Sequence, residues 1–196
     1  MMGEVNGGVN EVIVIADQDF STPIVQLYNI NEIDLSLDNI AQQLNKRFHN
    51  KAVTVITVLQ GGMVTTAHLL LKLNFLTELD SIHATRYRNQ TEGYELEWKQ
   101  YPATDLKGKN VLIVDDIFDE GVTLSEVKKY CLSRGADEVV MAVLLDKQHS
   151  RKLTSETPDY VALKVPDDYV FGFGLDYHGR YRNAPGIYAL GSTNKQ

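Results

Sequence analysis

Two adjacent carboxylates, Asp115 and Asp116, follow the apolar run Val111-Leu112-Ile113-Val114. The chain then passes through Ile117-Phe118-Asp119-Glu120-Gly121-Val122-Thr123 into what reads as the start of a helix. A buried strand, acids at its end, a glycine turn and a helix start suit a molecule that carries both a sugar diol and a phosphate. Carboxylates can hold hydroxyls or a hydrated cation. The turn and the helix N-terminus present backbone N–H groups to an anion. Receiver domains of response regulators and many metal-dependent phosphatases also place acids at a strand end, so the pair alone leaves the chemistry open. Asp119, Gly121 and Thr123 add the anion nest. The turn lacks the Gly-Lys-Ser/Thr ending of a Walker A loop, and suits a terminal monophosphate better than a triphosphate.

Such residues need a scaffold, and the hydrophobic periodicity supplies one. Leu37, Ile40, Ala41, Leu44 and Phe48 have helical spacing, with Ser36 as the expected N-cap. A β-branched strand over 53–59 is stopped by Gln60-Gly61-Gly62, and Met63, Ala67, Leu70 and Leu71 give a second helix face. Another strand is expected over 82–87. From Arg88 to Lys99 the period fails, which leaves a long loop, often a lid, or a solvent-facing hairpin. Residues 111–114 read as the centre of a parallel sheet. Leu124, Val127 and Cys131 line the next helix, with Gly135 as its C′ residue. Strands follow over 139–145 and 160–163.

This alternation predicts an α/β fold: an open parallel sheet flanked by helices, which binds ligands at the carboxyl ends of its strands. The Gly61-Gly62 turn, the Asp115-Asp116 pair and Lys147 all follow strand ends and should share one face. The segment 166–190, rich in aromatics and glycines, is too irregular for another strand–helix unit and reads as a cap over that face.

Composition narrows the class. The 196 residues fit one domain over 1–196, with 1–10 as a loose tail that has no signal-peptide pattern. A net charge of −7 disfavours a broad nucleic-acid or anionic-membrane surface. No run is long and apolar enough for a membrane span. The single cysteine, Cys131, lies on an apolar helix face, reads as core and fits a reducing, cytoplasmic compartment. The five histidines show no metal-ligand spacing.

The run of hydrophobics, Asp-Asp, two apolar residues and Asp-x-Gly-x-Thr resembles the phosphoribosyl-pyrophosphate (PRPP) signature of type I phosphoribosyltransferases. The wider chain, from about Asp38 to Tyr188, is similar to the 6-oxopurine branch, the hypoxanthine-guanine phosphoribosyltransferases. The resemblance implies the fold of that family, with a hood built from N- and C-terminal segments. It implies transfer of phosphoribosyl from PRPP to hypoxanthine or guanine in purine salvage, with Mg²⁺ as cofactor and a homodimer or homotetramer as the assembly.

It also implies roles. Asp115 and Asp116 would engage the ribose hydroxyls directly or through hydrated Mg²⁺, Asp119 would be the acid–base residue near N7, and the turn Asp119-Glu120-Gly121-Val122-Thr123 would hold the 5′-phosphate. Leu59-Gln60-Gly61 resembles the pyrophosphate loop, whose middle peptide is often cis. Lys147 would donate to O6, Tyr169 would stack on the purine, and the Val170 carbonyl would read the base edge. Asp176 would link to Mg²⁺, and Arg182 would neutralise pyrophosphate. Without the resemblance, Lys147 and Arg182 read as solvated cations and Tyr169 as a core aromatic. The segment 86–99, with Tyr87 near its start, would be a mobile lid that excludes water.

Three features depart from the family pattern. Glu120 stands where relatives usually have Thr, and a carboxylate there repels a phosphate unless it points outward. Val122 replaces a basic or small residue, and Arg86 and Arg88 flank Tyr87 where small polar residues are common. A reading from another class is a regulator that keeps this fold and binds nucleic acid under PRPP or nucleotide control. It needs an added basic surface, which a charge of −7 disfavours.

Overall fold

The computed structural model describes residues 23–88 and 94–190, the side chains of 86–88, 94 and 95 excepted. The expected N-terminal tail and the side chains of Arg86, Tyr87 and Arg88 therefore lie outside the described residues.

Continuous apolar runs bury both faces of a central sheet. It is built from β2 (Ala52–Leu59), β3 (Leu76–Arg88), β4 (Tyr94–Gln100), β5 (Asn110–Phe118), β6 (Glu138–Lys147) and β7 (Tyr160–Val165) in the order β4-β3-β2-β5-β6-β7. All neighbours are parallel except the edge pair β3 and β4. The segment after Arg88, open between loop and hairpin in the sequence, thus contributes a strand antiparallel to β3. Trp98 anchors it by stacking on Tyr101 at 5.4 Å and tilting against Tyr130 at 5.6 Å.

Alternate residues of β5 feed opposite layers. Val111 and Ile113 pack with Leu124, Val127 and Cys131 of α3 (Val122–Ser133). Leu112 and Val114 pack with Ile40, Leu44 and Leu69 of α1 (Ile30–Arg47) and α2 (Gly62–Leu70). Each fully buried Leu or Ile contributes about 1.5–3 kcal/mol, so the strand ends are held on a rigid frame. Burial pushes the Cys131 thiol up to about 12, which suits a core residue and not a nucleophile.

Three local expectations are corrected. The N-cap of α1 is Asn29, not Ser36: Asn29 accepts from the Asn31 and Glu32 amides, and Glu32 returns a bond to the Asn29 N–H at 2.8 Å. The apolar stripe begins a turn earlier than expected, at buried Ile33, and Ser36 sits inside the helix donating to the Ile33 carbonyl. On α2 the buried face is Gly62, Thr65, Thr66 and Leu69, while Met63 and Leu71 are exposed. Small residues win there because a Cβ on Gly62 would meet the Val114 carbonyl at 2.8 Å, and Thr66 donates to the Gly62 carbonyl at 2.7 Å. Finally, β5 runs past Val114 through both acids to Phe118, because β6 keeps pairing with it as far as Phe118 opposite Asp146.

A second, antiparallel sheet of β1 (Ile24–Tyr28), β9 (Ile187–Leu190) and β8 (Val170–Phe171) forms the cap. Ile33, Leu37, Leu144, Val165, Phe173 and Ile187 weld it to the main sheet. No helix among the described residues is long and apolar enough to cross a membrane.

Candidate active site

A cleft of about 520 Å³ opens at the carboxyl ends of β2 and β5. Leu59, Gln60, Gly61, Asp115, Asp116, Asp119, Gly121, Thr123, Asp176 and Arg182, all named from the sequence, line it together. They come from three segments: the end of β2, the end of β5 with the turn that follows it, and the cap segment between β8 and β9.

The acid pair lies on the floor. Asp115 is buried, and its Oδ1 accepts the Asp116 N–H at 2.9 Å. Burial raises the Asp116 carboxyl above its ordinary range against the pull of Asp115, of backbone N–H groups and of the Arg182 charge. Asp116 packs so closely on the β2–α2 turn that a Cβ on Gly61 would come 1.7 Å from its Oδ2. The Leu59–Gln60 peptide in that turn is cis. The cap meets the same turn: a Cβ on Gly174 would stand 2.4 Å from the Gly61 carbonyl. Arg182 is oriented there by the Gly174 carbonyl at 2.6 Å and by Asp176 Oδ1 at 2.7 Å.

The β5–α3 turn forms the opposite wall. Gly121 caps α3 at φ +85° and has no side chain to cover the helix end, so first-turn N–H groups are directed at the cavity beside Thr123. Asp119 points toward the end of β6, where Lys147 Nζ lies 3.4 Å from its Oδ2. Burial pushes the Asp119 carboxyl up, but a hydrogen bond from His149 and then the Lys147 charge outweigh it and hold it below the ordinary carboxylate range.

Other named residues stand back from the cleft lining. Glu120 is buried, with its Oε1 3.6 Å from Arg151 Nη1. Lys147 reaches the site through Asp119. Tyr169 is half exposed and donates to the Asp176 carbonyl at 3.1 Å. Val170 is buried in the cap sheet opposite Ala189.

Several residues at the site were not named from the sequence. His83, Thr85 and Lys99 line the cleft from the β3–β4 pair. His149 Nε2 lies 2.6 Å from Asp119 Oδ1. His149 has no metal-ligand spacing to mark it in the sequence. The usable signal was its position just beyond Lys147, past a strand end on the ligand edge.

The sequence matches the phosphoribosyl transferase domain family over residues 24–178. The chain belongs to the phosphoribosyltransferase family. Among members of that family it is similar to the hypoxanthine-guanine phosphoribosyltransferase of Streptococcus pyogenes, at 32% identity over 165 residues, 84% of this chain and 91% of the relative. A hypoxanthine phosphoribosyltransferase structure from Staphylococcus aureus superposes with a TM-score of 0.83 at 27% identity, covering 94% of this chain and 97% of that one. The Trypanosoma cruzi enzyme in complex with the product IMP gives 0.78 at 26% identity over 84% and 92% of the two chains. This phosphoribosyltransferase therefore shares its sheet, and most of its length, with enzymes of the 6-oxopurine branch.

Proposed function

We propose that the enzyme transfers the phosphoribosyl group of PRPP to a 6-oxopurine, hypoxanthine or guanine, giving IMP or GMP and pyrophosphate in purine salvage. The observation that carries this reading is the side-by-side placement of Asp119 and Lys147, a carboxylate oxygen and an ammonium 3.4 Å apart beside the acid pair. A 6-oxopurine carries N7 and O6 on one edge. Lys147 donates to O6, and Asp119 accepts the proton from N7 as N9 attacks C1 of the ribose. The C1–N9 bond forms, the C1–O bond to pyrophosphate breaks, and the proton rests on Asp119.

The other residues hold the substrate. The Gly121–Thr123 turn and the α3 N-terminus take the 5′-phosphate, Asp115 and Asp116 take the ribose hydroxyls, and Arg182 with the Leu59-Gln60-Gly61 turn takes pyrophosphate. Tyr169 stacks on the base, and the Val170 carbonyl reads its edge. Residues 86–99 act as the lid that excludes water.

The donor set fits Mg²⁺: Asp115, Asp116 and Asp176 present hard oxygens to one cleft. Among the described residues no group of three or more His, Cys, Asp or Glu side chains converges, so the ion would complete its shell with substrate and water oxygens. When bound, it neutralises charge developing on the departing pyrophosphate. The buried, free Cys131 thiol supports a reducing, cytoplasmic setting, and the family likeness supports a homodimer or homotetramer.

A base panel tests the reading. With PRPP and MgCl₂, hypoxanthine and guanine should give nucleotide and stoichiometric pyrophosphate, and adenine and orotate should not. Turnover confined to adenine or orotate would overturn it.

A further inference from the structure

His149 has both ring nitrogens committed. The Arg151 backbone N–H donates to Nδ1 at 3.0 Å, which makes Nδ1 the acceptor and puts the ring proton on Nε2. Nε2–H then donates to Asp119 Oδ1 at 2.6 Å, a short, charge-assisted bond. The ring is almost fully covered, at 4% side-chain exposure, so the bond is shielded from competing water. Among the described residues, the other oxygen, Oδ2, has only the longer approach of Lys147 at 3.4 Å. The two oxygens of one carboxylate are thereby distinguished, one tied and one available.

We propose that His149 is a positioning residue: it ties Oδ1 and sets the rotation of the Asp119 carboxylate so that Oδ2 faces the incoming base. This rests on the acid–base role of Asp119 put forward above. The charged groups around the pair are few. Lys147 from β6 and Arg151 from the segment after it face Asp119. Asp167, before β8, faces His149 and is itself engaged by Arg151, as is Glu120 beside Asp119. The hydrogen bond from His149 is the largest single influence that lowers the Asp119 carboxyl, so loss of the imidazole donor lets burial push the carboxyl back up.

Three substitutions test the assignment. His149→Phe keeps the ring volume without a donor. His149→Asn keeps an acceptor for the Arg151 N–H but falls short of Asp119. His149→Gln returns an N–H near the Nε2 position. Steady-state kinetics with hypoxanthine, PRPP and Mg²⁺ across pH should show kcat lower by about 10- to 100-fold in Phe and Asn, the loss of one charge-assisted bond. The KM for PRPP should stay unchanged, and the acidic limb of kcat should move to higher pH. Gln should restore both kcat and the limb, and adding His149→Phe to Asp119→Asn should cost nothing further. If Phe and Asn leave kcat and the limb unmoved while Asp119→Asn is inactive, the positioning role falls and the acid–base reading survives. Near-wild-type turnover of Asp119→Asn removes both.

Discussion

The turn between β5 and α3 and the irregular segment between β6 and β7 lie against each other and are built on opposite plans. The first presents acids, a left-handed glycine and a helix end to the cleft. The second contributes nothing to the cleft lining, yet touches the first along its length. His149 bonds Asp119, and Lys152 donates to the Phe118 carbonyl at 2.9 Å while lying 4.2 Å above its ring. The Leu153 N–H donates to the Glu120 carbonyl at 2.9 Å, and Glu156 pairs with Lys128 of α3 at 2.6 Å. A turn that directs polar groups at a ligand gains little from them in its own stability. Buried charge and unpaired backbone are costly, and here the neighbouring strap offsets that cost.

The largest test of this comparison is a single methyl group at the contact. A Cβ on Gly121 would lie 2.5 Å from Thr154 Cγ2 and 2.7 Å from the Phe118 ring, on a backbone at φ +85°. Left-handed geometry costs a side chain roughly 1–2 kcal/mol and overpacking about 1–3 more, so Gly121→Ala should lose about 2–5 kcal/mol in urea unfolding. Gly108 supplies the control, with φ +71° and nothing within 4 Å of its added Cβ. Gly108→Ala should lose only the backbone part. Equal losses for the two variants would mean that the strap does not press on the turn.

The two regions also differ in how they can be read from sequence. The turn carries its chemistry in consecutive residues, where strand, acids, glycine and helix start form a pattern that implies both placement and role. The same holds for the frame: the apolar runs marked the central strands β2, β5 and β6 and the buried stripe Leu124, Val127 and Cys131. The strap has no period, and its partners are remote in sequence, so nothing local marks Arg151, and His149 is marked only by lying just past a strand end. Glu120 could not be understood from its neighbours because its companion, Arg151, comes from that strap. Helix α2 misled for a related reason: its tight approach to β5 favours Thr and Gly inward, against the hydrophobic pattern.

Lys147 stands where the two regions join, at the last position of β6, with 13% side-chain exposure. Lys147→Met keeps the stem and removes the charge. If the lysine serves the base, kcat/KM for hypoxanthine should fall by about 10- to 100-fold, a lost charged hydrogen bond, with the KM for PRPP unchanged. The charge and bond of Lys147 help lower the Asp119 carboxyl, so their removal should move the acidic limb of kcat to higher pH. The direction matches that expected for His149→Phe. An unchanged KM for the base would reduce Lys147 to a strut between turn and strap.

The smallest effect should come from Arg151, and it discriminates most finely. Its guanidinium lies between Glu120 and Asp167 and is half exposed, so solvent and salt screen its charge. With Arg151 present, the Glu120 carboxylate is directed to the strap, which explains how an acid is tolerated in a turn proposed to hold a phosphate. In Arg151→Ala that charge loses one of its partners, and the KM for PRPP should rise by roughly fivefold or less, the span of an exposed ion pair. The rise should shrink in high salt, and Glu120→Gln in the same background should abolish it. Turnover should hold, because Arg151 supports His149 through its backbone N–H, which alanine keeps. A fall in kcat with PRPP affinity intact would reverse the assignment, making the Arg151 side chain part of the support for Asp119 and not a counter-charge for Glu120.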